Sequence, residues 1–384
     1  MLIKKLIGRI RALFIVSLII AFSGCGGSSN NKSKESTEPP TTNRGVCDQN
    51  ISGINWPALL EKRCELLSDY GLFTGLPNNP NESLGLYYEL SNELFIDHAR
   101  KYRYIYLPPN TTLNANQEGH LDFPIGSILV KVIALPTTST SSAEERIAEV
   151  RLMVLRDNGW IFIPYVWDET LKDARLNPSG SLIPASFFAN EKQLNFIYES
   201  PSQNRCEQCH QNRTEGTLTF VPIGPKVRLL NRSIEIESQT VNQLEHWQTQ
   251  GIIDLPKDVT DLPATPSWRD ETFSLQQRAK AYLDINCAYC HTDHGAAALS
   301  GLRLEYSRTL GYNHGVCNSS HGWRGGGYDI WPGRGDISSI PLRMELDEAT
   351  DRMPPIGRIV ADEEAILLIR QWIDSMPLRN CSSG

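Results

Sequence analysis

Two short segments of the chain carry residues whose type and spacing can do chemistry: Cys206-Glu207-Gln208-Cys209-His210 and Cys287-Ala288-Tyr289-Cys290-His291. Both read C-x-x-C-H. Two thiols about one helical turn apart reach the two vinyl groups of a haem to form thioethers, and the histidine beside the second thiol is held under the iron. The expectation is therefore two covalently bound haem c groups, attached at Cys206, Cys209, Cys287 and Cys290, with His210 and His291 as proximal ligands. Three other uses of such cysteines compete. A zinc site would have to close the gap from Cys209 to Cys287, far longer than the roughly 15–20 residues of compact zinc modules. A thioredoxin-like redox pair needs a βαβ context that neither motif has. Plain disulfides give no reason for histidine at the same offset twice.

A soft donor stands in Arg352-Met353-Pro354-Pro355, where two prolines keep the loop from becoming helix. Met353 is the expected sixth ligand of the second iron. Histidine/methionine ligation leaves no open site for substrate. Met344, in an expected helix after Ser339, reads as a core residue. No methionine lies between His210 and His291, so the sixth position of the first iron falls to His98, His120, His246 or Met153, or stays open. In the insert holding Cys317, His321 and Gly322 to Tyr328, Arg324 or the later Arg334 could pair with a haem propionate.

The elements that must position these groups are partly legible. Ser274-x-x-Gln277 is a capping box, and Leu275, Ala279, Tyr282 and Ile285 recur at helical spacing up to Cys287. Asp362 can cap a second helix whose stripe is Ile366, Ile369, Trp372, Ile373 and Met376. Two such helices around a C-x-x-C-H describe a small cytochrome c domain over residues 266–384. Residues 201–265 form the segment of the first motif, in which Thr240-x-x-Gln243 predicts a helix closed by Gly251. Residues 45–200 differ in kind. Ile128 to Leu135, Val150 to Leu155 and Trp160 to Trp167 are strand-like, and Asp157-Asn158-Gly159 predicts a type I′ hairpin. Tyr102, Tyr104 and Tyr106 alternate, and a helix is expected from Pro57 to Leu67. The fold class expected is α+β and multidomain: an N-terminal β-rich domain followed by mainly α-helical cytochrome c-like haem domains.

With 384 residues, 40% hydrophobic and 21% charged, the chain is long enough for roughly two or three cored domains. Residues 1–24 read as an export signal: the bases Lys4, Lys5, Arg9 and Arg11, an apolar run from Ala12 to Phe22, then Ser23-Gly24 before Cys25. That layout resembles the bacterial lipobox, which implies acylation of Cys25. Residues 25–44 have the composition of a flexible tether. Lipid anchoring to a bacterial membrane follows, and Gly26 after the cysteine points to the outer membrane, with the folded part facing periplasm or exterior. Formal charge is −7 and becomes more negative once the basic signal is removed, which excludes nucleic acid as a partner. Four further cysteines remain: Cys47, Cys64, Cys317 and Cys381. Outside the cytosol they can form two disulfides in any of three connectivities, of which the sequence-local one, Cys47–Cys64 with Cys317–Cys381, is preferred.

Taken together, Met353-Pro354-Pro355, Val221-Pro222-Ile223-Gly224-Pro225-Lys226, Tyr282-Leu283-Asp284-Ile285-Asn286-Cys287, Tyr328-Asp329-Ile330 and Lys101-Tyr102-Arg103-Tyr104-Ile105-Tyr106-Leu107-Pro108-Pro109 resemble a little-characterised family of exported diheme c-type cytochromes, often lipoproteins. The similarity spans nearly all of residues 45–384. Family members are commonly encoded beside a parallel β-helix protein, so the resemblance implies a partner of that architecture besides unidentified redox proteins. It assigns no catalytic residue. The function expected is a membrane-tethered electron carrier. The alternatives are a peroxidase-type diheme oxidoreductase with an open first haem, and a redox-active module that binds a partner protein.

Overall fold

Alternating burial builds the centre of the molecule. The computed structural model describes residues 45–48, 52–236, 238–323 and 325–381. The signal, the tether, Cys25 and Arg324 lie outside the described residues. After a short helix α1 (Trp56–Glu61) come β1 (Leu86–Tyr87), β2 (Arg100–Tyr106), β3 (Leu113–Ala115), β4 (Leu121–Asp122), β5 (Ile128–Pro136), β6 (Glu145–Arg156), β7 (Gly159–Asp168) and β8 (Asp173–Leu176). Six of these strands form one antiparallel sheet in the order β1-β2-β5-β6-β7-β8.

Period-2 alternation gives each sheet face its own cover. Tyr104, Tyr106, Val130, Val132, Val150, Leu152, Ile163 and Tyr165 face one way, against Leu59, Leu67 and Tyr70 of the N-terminal segment. That segment is stapled by the Cys47–Cys64 disulfide. Ile105, Leu129, Met153 and Phe162 face the other way, toward Cys206, Leu230, Leu244 and Trp247.

The expected strands are present, but the turn is not the expected one. Arg156 pairs with Gly159, and positive φ falls on Gly159 (106°) rather than on Asp157 or Asn158, so glycine supplies the left-handed residue after a tight turn. The helix expected from Pro57 to Leu67 ends at Glu61. Asn55 caps it by accepting from the Ala58 N–H, and the chain beyond Lys62 is extended.

A second hairpin, β9 (Ser181–Ala189) with β10 (Lys192–Ser200), turns through Asn190 and Glu191, both at positive φ. It buries Ala185, Phe187 and Tyr198 against Ile133, Leu135 and Ala148.

The remainder corrects the expectation of mainly α-helical cytochrome c-like domains. After helix α2 (Gln203–His210) come two hairpins, β11 (Gln211–Thr214) with β12 (Thr217–Phe220), and, beyond one turn of helix α3 (Val227–Leu230), β13 (Ser233–Ile236) with β14 (Gln239–Asn242). Thr240 thus lies in a strand, and helix α4 (Gln243–Thr249) starts later, capped by the Asn242 side chain. β-branched Thr240 and Val241 pair with Glu235 and Ile234, and that cross-strand pairing outweighs the capping signal. Strand β15 (Ile253–Asp254) adds to β3, joining the first-motif segment to a small sheet of the N-terminal region.

Further on, α5 (Leu275–Asn286), α6 (Ser339–Glu345) and α7 (Glu363–Asp374) are joined by long irregular chain. They share a core of Ala279, Tyr282, Leu283, Met344, Ile366, Ile369 and Trp372. The Cys317–Cys381 disulfide ties the end of the chain to the insert. Arg44–Gly384 cluster as one unit. The fold is β-dominated: the Ser274 and Asp362 caps with their apolar stripes locate α5 and α7, but such signals do not reveal how much chain between helices pairs into hairpins.

Candidate functional site

Helix α2 presents the whole first motif. Cys206 and Cys209 sit one turn apart, and His210 ends the helix. Beside them opens a cavity lined by Tyr88, Leu90, Leu129, Met153, Phe162 and Ile285 among others. The His210 ring is fixed at 5.0 Å from Phe162, and its Nδ1 is 2.8 Å from the Val221 carbonyl oxygen. A carbonyl only accepts, so Nδ1 carries the proton and Nε2 keeps its lone pair for a metal. Burial holds this imidazole down at about 3, so it stays neutral at any physiological pH.

The second motif follows α5, where the capping box of Ser274 and Gln277 is in place. Its cavity is lined by Cys287, Cys290, His291, Met353, Pro354 and Pro355, with Met344, His321 and Arg343 at other points of the wall. His291 Nδ1 lies 3.2 Å from the Ser300 hydroxyl. That hydroxyl donates to the Ala297 carbonyl at 2.7 Å, so it accepts from Nδ1 and again leaves Nε2 unprotonated. Burial depresses His291 to about 4. Gly295 lets the loop close: a Cβ there would stand 2.4 Å from the Cys290 carbonyl oxygen. Met353 is held at both ends of its backbone, its N–H donating to Arg343 O at 2.9 Å and its carbonyl accepting from Arg358 Nε at 3.1 Å.

The two cavities share a wall. Tyr289 lines both, and the loop from Met353 to Gly357 gives Met353, Pro354 and Pro355 to one and Ile356 and Gly357 to the other. The Cys209 and Cys290 thiols are close neighbours. Arg213, just past the first motif, donates its N–H to the His294 carbonyl at 2.8 Å, and His294 Nδ1 returns a bond to Arg213 O at 2.9 Å.

This arrangement bears on the competing uses of the cysteines. Among the described residues no three of the four motif cysteines gather closely enough to share one ion, as a tetrathiolate zinc site requires. All four are free thiols. Burial pushes Cys206 up and Cys287 up to about 12, so one thiol of each motif is the opposite of an activated redox thiol, whereas the neighbouring Cys290 draws Cys209 down.

Comparison with known proteins returned nothing: no family model, curated protein or solved structure matches the chain.

Of the residues considered for the first iron, Met153 lines the first cavity. His98 packs between Phe95 and Phe187 beside a different groove. His120 is exposed in a neighbouring groove, and His246 is half-buried on α4 and lines neither cavity. Arg334 lines neither cavity; it pairs with Asp336 and lies over Trp331. The cations that do line the cavities are Arg103, Lys131, Arg151 and Arg205 in the first and Arg343 in the second, none of them singled out from sequence. The lone charge of Lys131 inside the apolar run Ile128 to Leu135 was the available signal.

Proposed function

We propose that this chain is an exported, lipid-anchored diheme c-type cytochrome that relays electrons in the periplasm or at the outer membrane surface. The observation that carries the reading is that two C-x-x-C-H motifs, distant in sequence, each line a cavity with a histidine oriented at Nδ1, and the two cavities meet at Tyr289. Cys206 and Cys209 would hold one porphyrin and Cys287 and Cys290 the other. His210 and His291 would ligate through Nε2, each oriented by an acceptor at Nδ1. Bound haem iron supplies one-electron exchange at a potential set by its ligands and surroundings.

The chain's own part is to position and to exclude water. Met353, clamped by Arg343 and Arg358, offers a thioether to the second site, and buried Met153 offers one to the first. With both thioethers ligating, neither iron would have an open position, which would favour a carrier over a peroxidase-type enzyme. The resemblance to exported diheme lipoproteins supports the anchor at Cys25 and a parallel β-helix protein among its partners.

The test is the intact mass of protein made in a host that attaches haem c. Two haems are expected, and Cys206→Ala with Cys209→Ala should leave one. Colourless protein, or zinc in place of iron, would refute the reading. A ferric high-spin signal that shifts on adding cyanide would refute the closed carrier and leave the enzyme.

A further inference from the structure

Strand register places three cations side by side on one face of the central sheet. Arg103 of β2 stands opposite Lys131 of β5, which stands opposite Arg151 of β6. Like charges directly opposite one another destabilise a sheet. The next row on the same face, Ile105–Leu129–Met153–Phe162, is apolar. The flanking cations have carboxylates of their own: Arg103 reaches Glu93 at 2.7 Å, and Arg151 contacts Glu149. Among the described residues Lys131 has no hydrogen bond and no ion pair. Desolvation first, then the neighbouring Arg151 and Arg103, push it down to about 7. All three residues line the first cavity, whose remaining wall is largely aliphatic and aromatic. A cavity with apolar walls and a cationic row complements a ligand with a large apolar body and a carboxylate end.

We propose that the row Arg103–Lys131–Arg151 is the carboxylate seat of the first cavity and receives the propionates of the porphyrin joined to Cys206 and Cys209, with Lys131 as the unshared cation. This rests on the haem reading above. Lys131 is here a positioning residue: it fixes the orientation and charge environment of the bound group and ligates nothing.

The experiment uses holoprotein of wild type, Lys131→Met and Lys131→Arg, with haems first counted by intact mass. Wild type without haem would sink the proposed function, not this inference alone. With two haems present, Lys131→Met should lower one of the two reduction potentials and leave the other in place, because removing a nearby positive charge favours the ferric state. The same variant should shift a propionate-bending band in the resonance Raman spectrum, and Lys131→Arg should restore both signals. Unchanged potentials and an unchanged band would overturn the proposal. Millimolar succinate distinguishes a soluble dicarboxylate from the porphyrin's own: no spectral change in wild type supports the seat as occupied, whereas a succinate-induced shift lost in Lys131→Met would overturn it in favour of an anion site for solutes.

Discussion

At the residue scale two methionines line the cavity proposed to hold the second haem. Met344 and Met353 line the same cavity, but Met344 is buried on α6 among core residues, whereas Met353 sits in a proline-stiffened loop with its backbone clamped. Met353→Ala should abolish the weak sulfur-to-iron charge-transfer band of the ferric protein with little loss of stability. Met344→Ala should keep the band and cost about 2–5 kcal/mol, measured by urea unfolding. The reverse pattern would exchange the two roles. Ser300 offers a subtler probe, since its hydroxyl accepts from His291 Nδ1. An acceptor there makes the imidazole a stronger donor to metal. Ser300→Ala should therefore raise the potential of the second haem in a redox titration and leave the first in place.

At the element scale the loop carrying Met353 is moored to the sheet side of the molecule. Asp97, 1% exposed, accepts from the N–H groups of Ile359 at 2.6 Å and Val360 at 2.9 Å. Burial outweighs these bonds and the nearby Arg358 and Arg352, raising the carboxyl to about 6. A raised folded-state value means the native protein holds the proton more tightly than the unfolded chain. The contribution is thus intact below pH 4 and is lost as pH rises through 6, a cost on the order of 3 kcal/mol at neutral pH. Asparagine keeps the acceptor oxygen without the charge. Asp97→Asn should match wild-type stability near pH 4 and exceed it above pH 6. An increment independent of pH would mean that ionisation is not what the site opposes.

At the scale of the whole molecule the two motifs belong to one unit because distant segments interlock around them. Asp284 of α5 is paired at 2.6 Å with Arg228 of α3, and Asn286 accepts from the Phe95 N–H at 2.7 Å. Chain closure adds to this. The Cys317–Cys381 bridge spans 64 residues and Cys47–Cys64 spans 17. On loop entropy, paired Cys→Ser substitutions should cost about 4 and about 3 kcal/mol respectively, read from denaturant midpoints. Loss of the longer bridge should fray the insert and weaken Met353 ligation indirectly. Loss of the shorter one should leave the haem spectrum untouched, because it acts on the far face of the sheet.

Local rules made much of this readable in advance. The thiol and histidine spacing is a property of consecutive residues. So are the capping box at Ser274, the alternation of Tyr102, Tyr104 and Tyr106, and the apolar stripe of α7. The sequence-local disulfide pairing also holds. Thr240 misled because a capping signal is local whereas its strand partner, Glu235, is chosen by the hairpin. What only the tertiary structure decided is what lies side by side: that Cys209 meets Cys290, that Tyr289 separates two cavities, and that Arg103, Lys131 and Arg151 form a row. No spacing rule encodes these contacts, because each depends on strand register and on chain returning from far away in sequence.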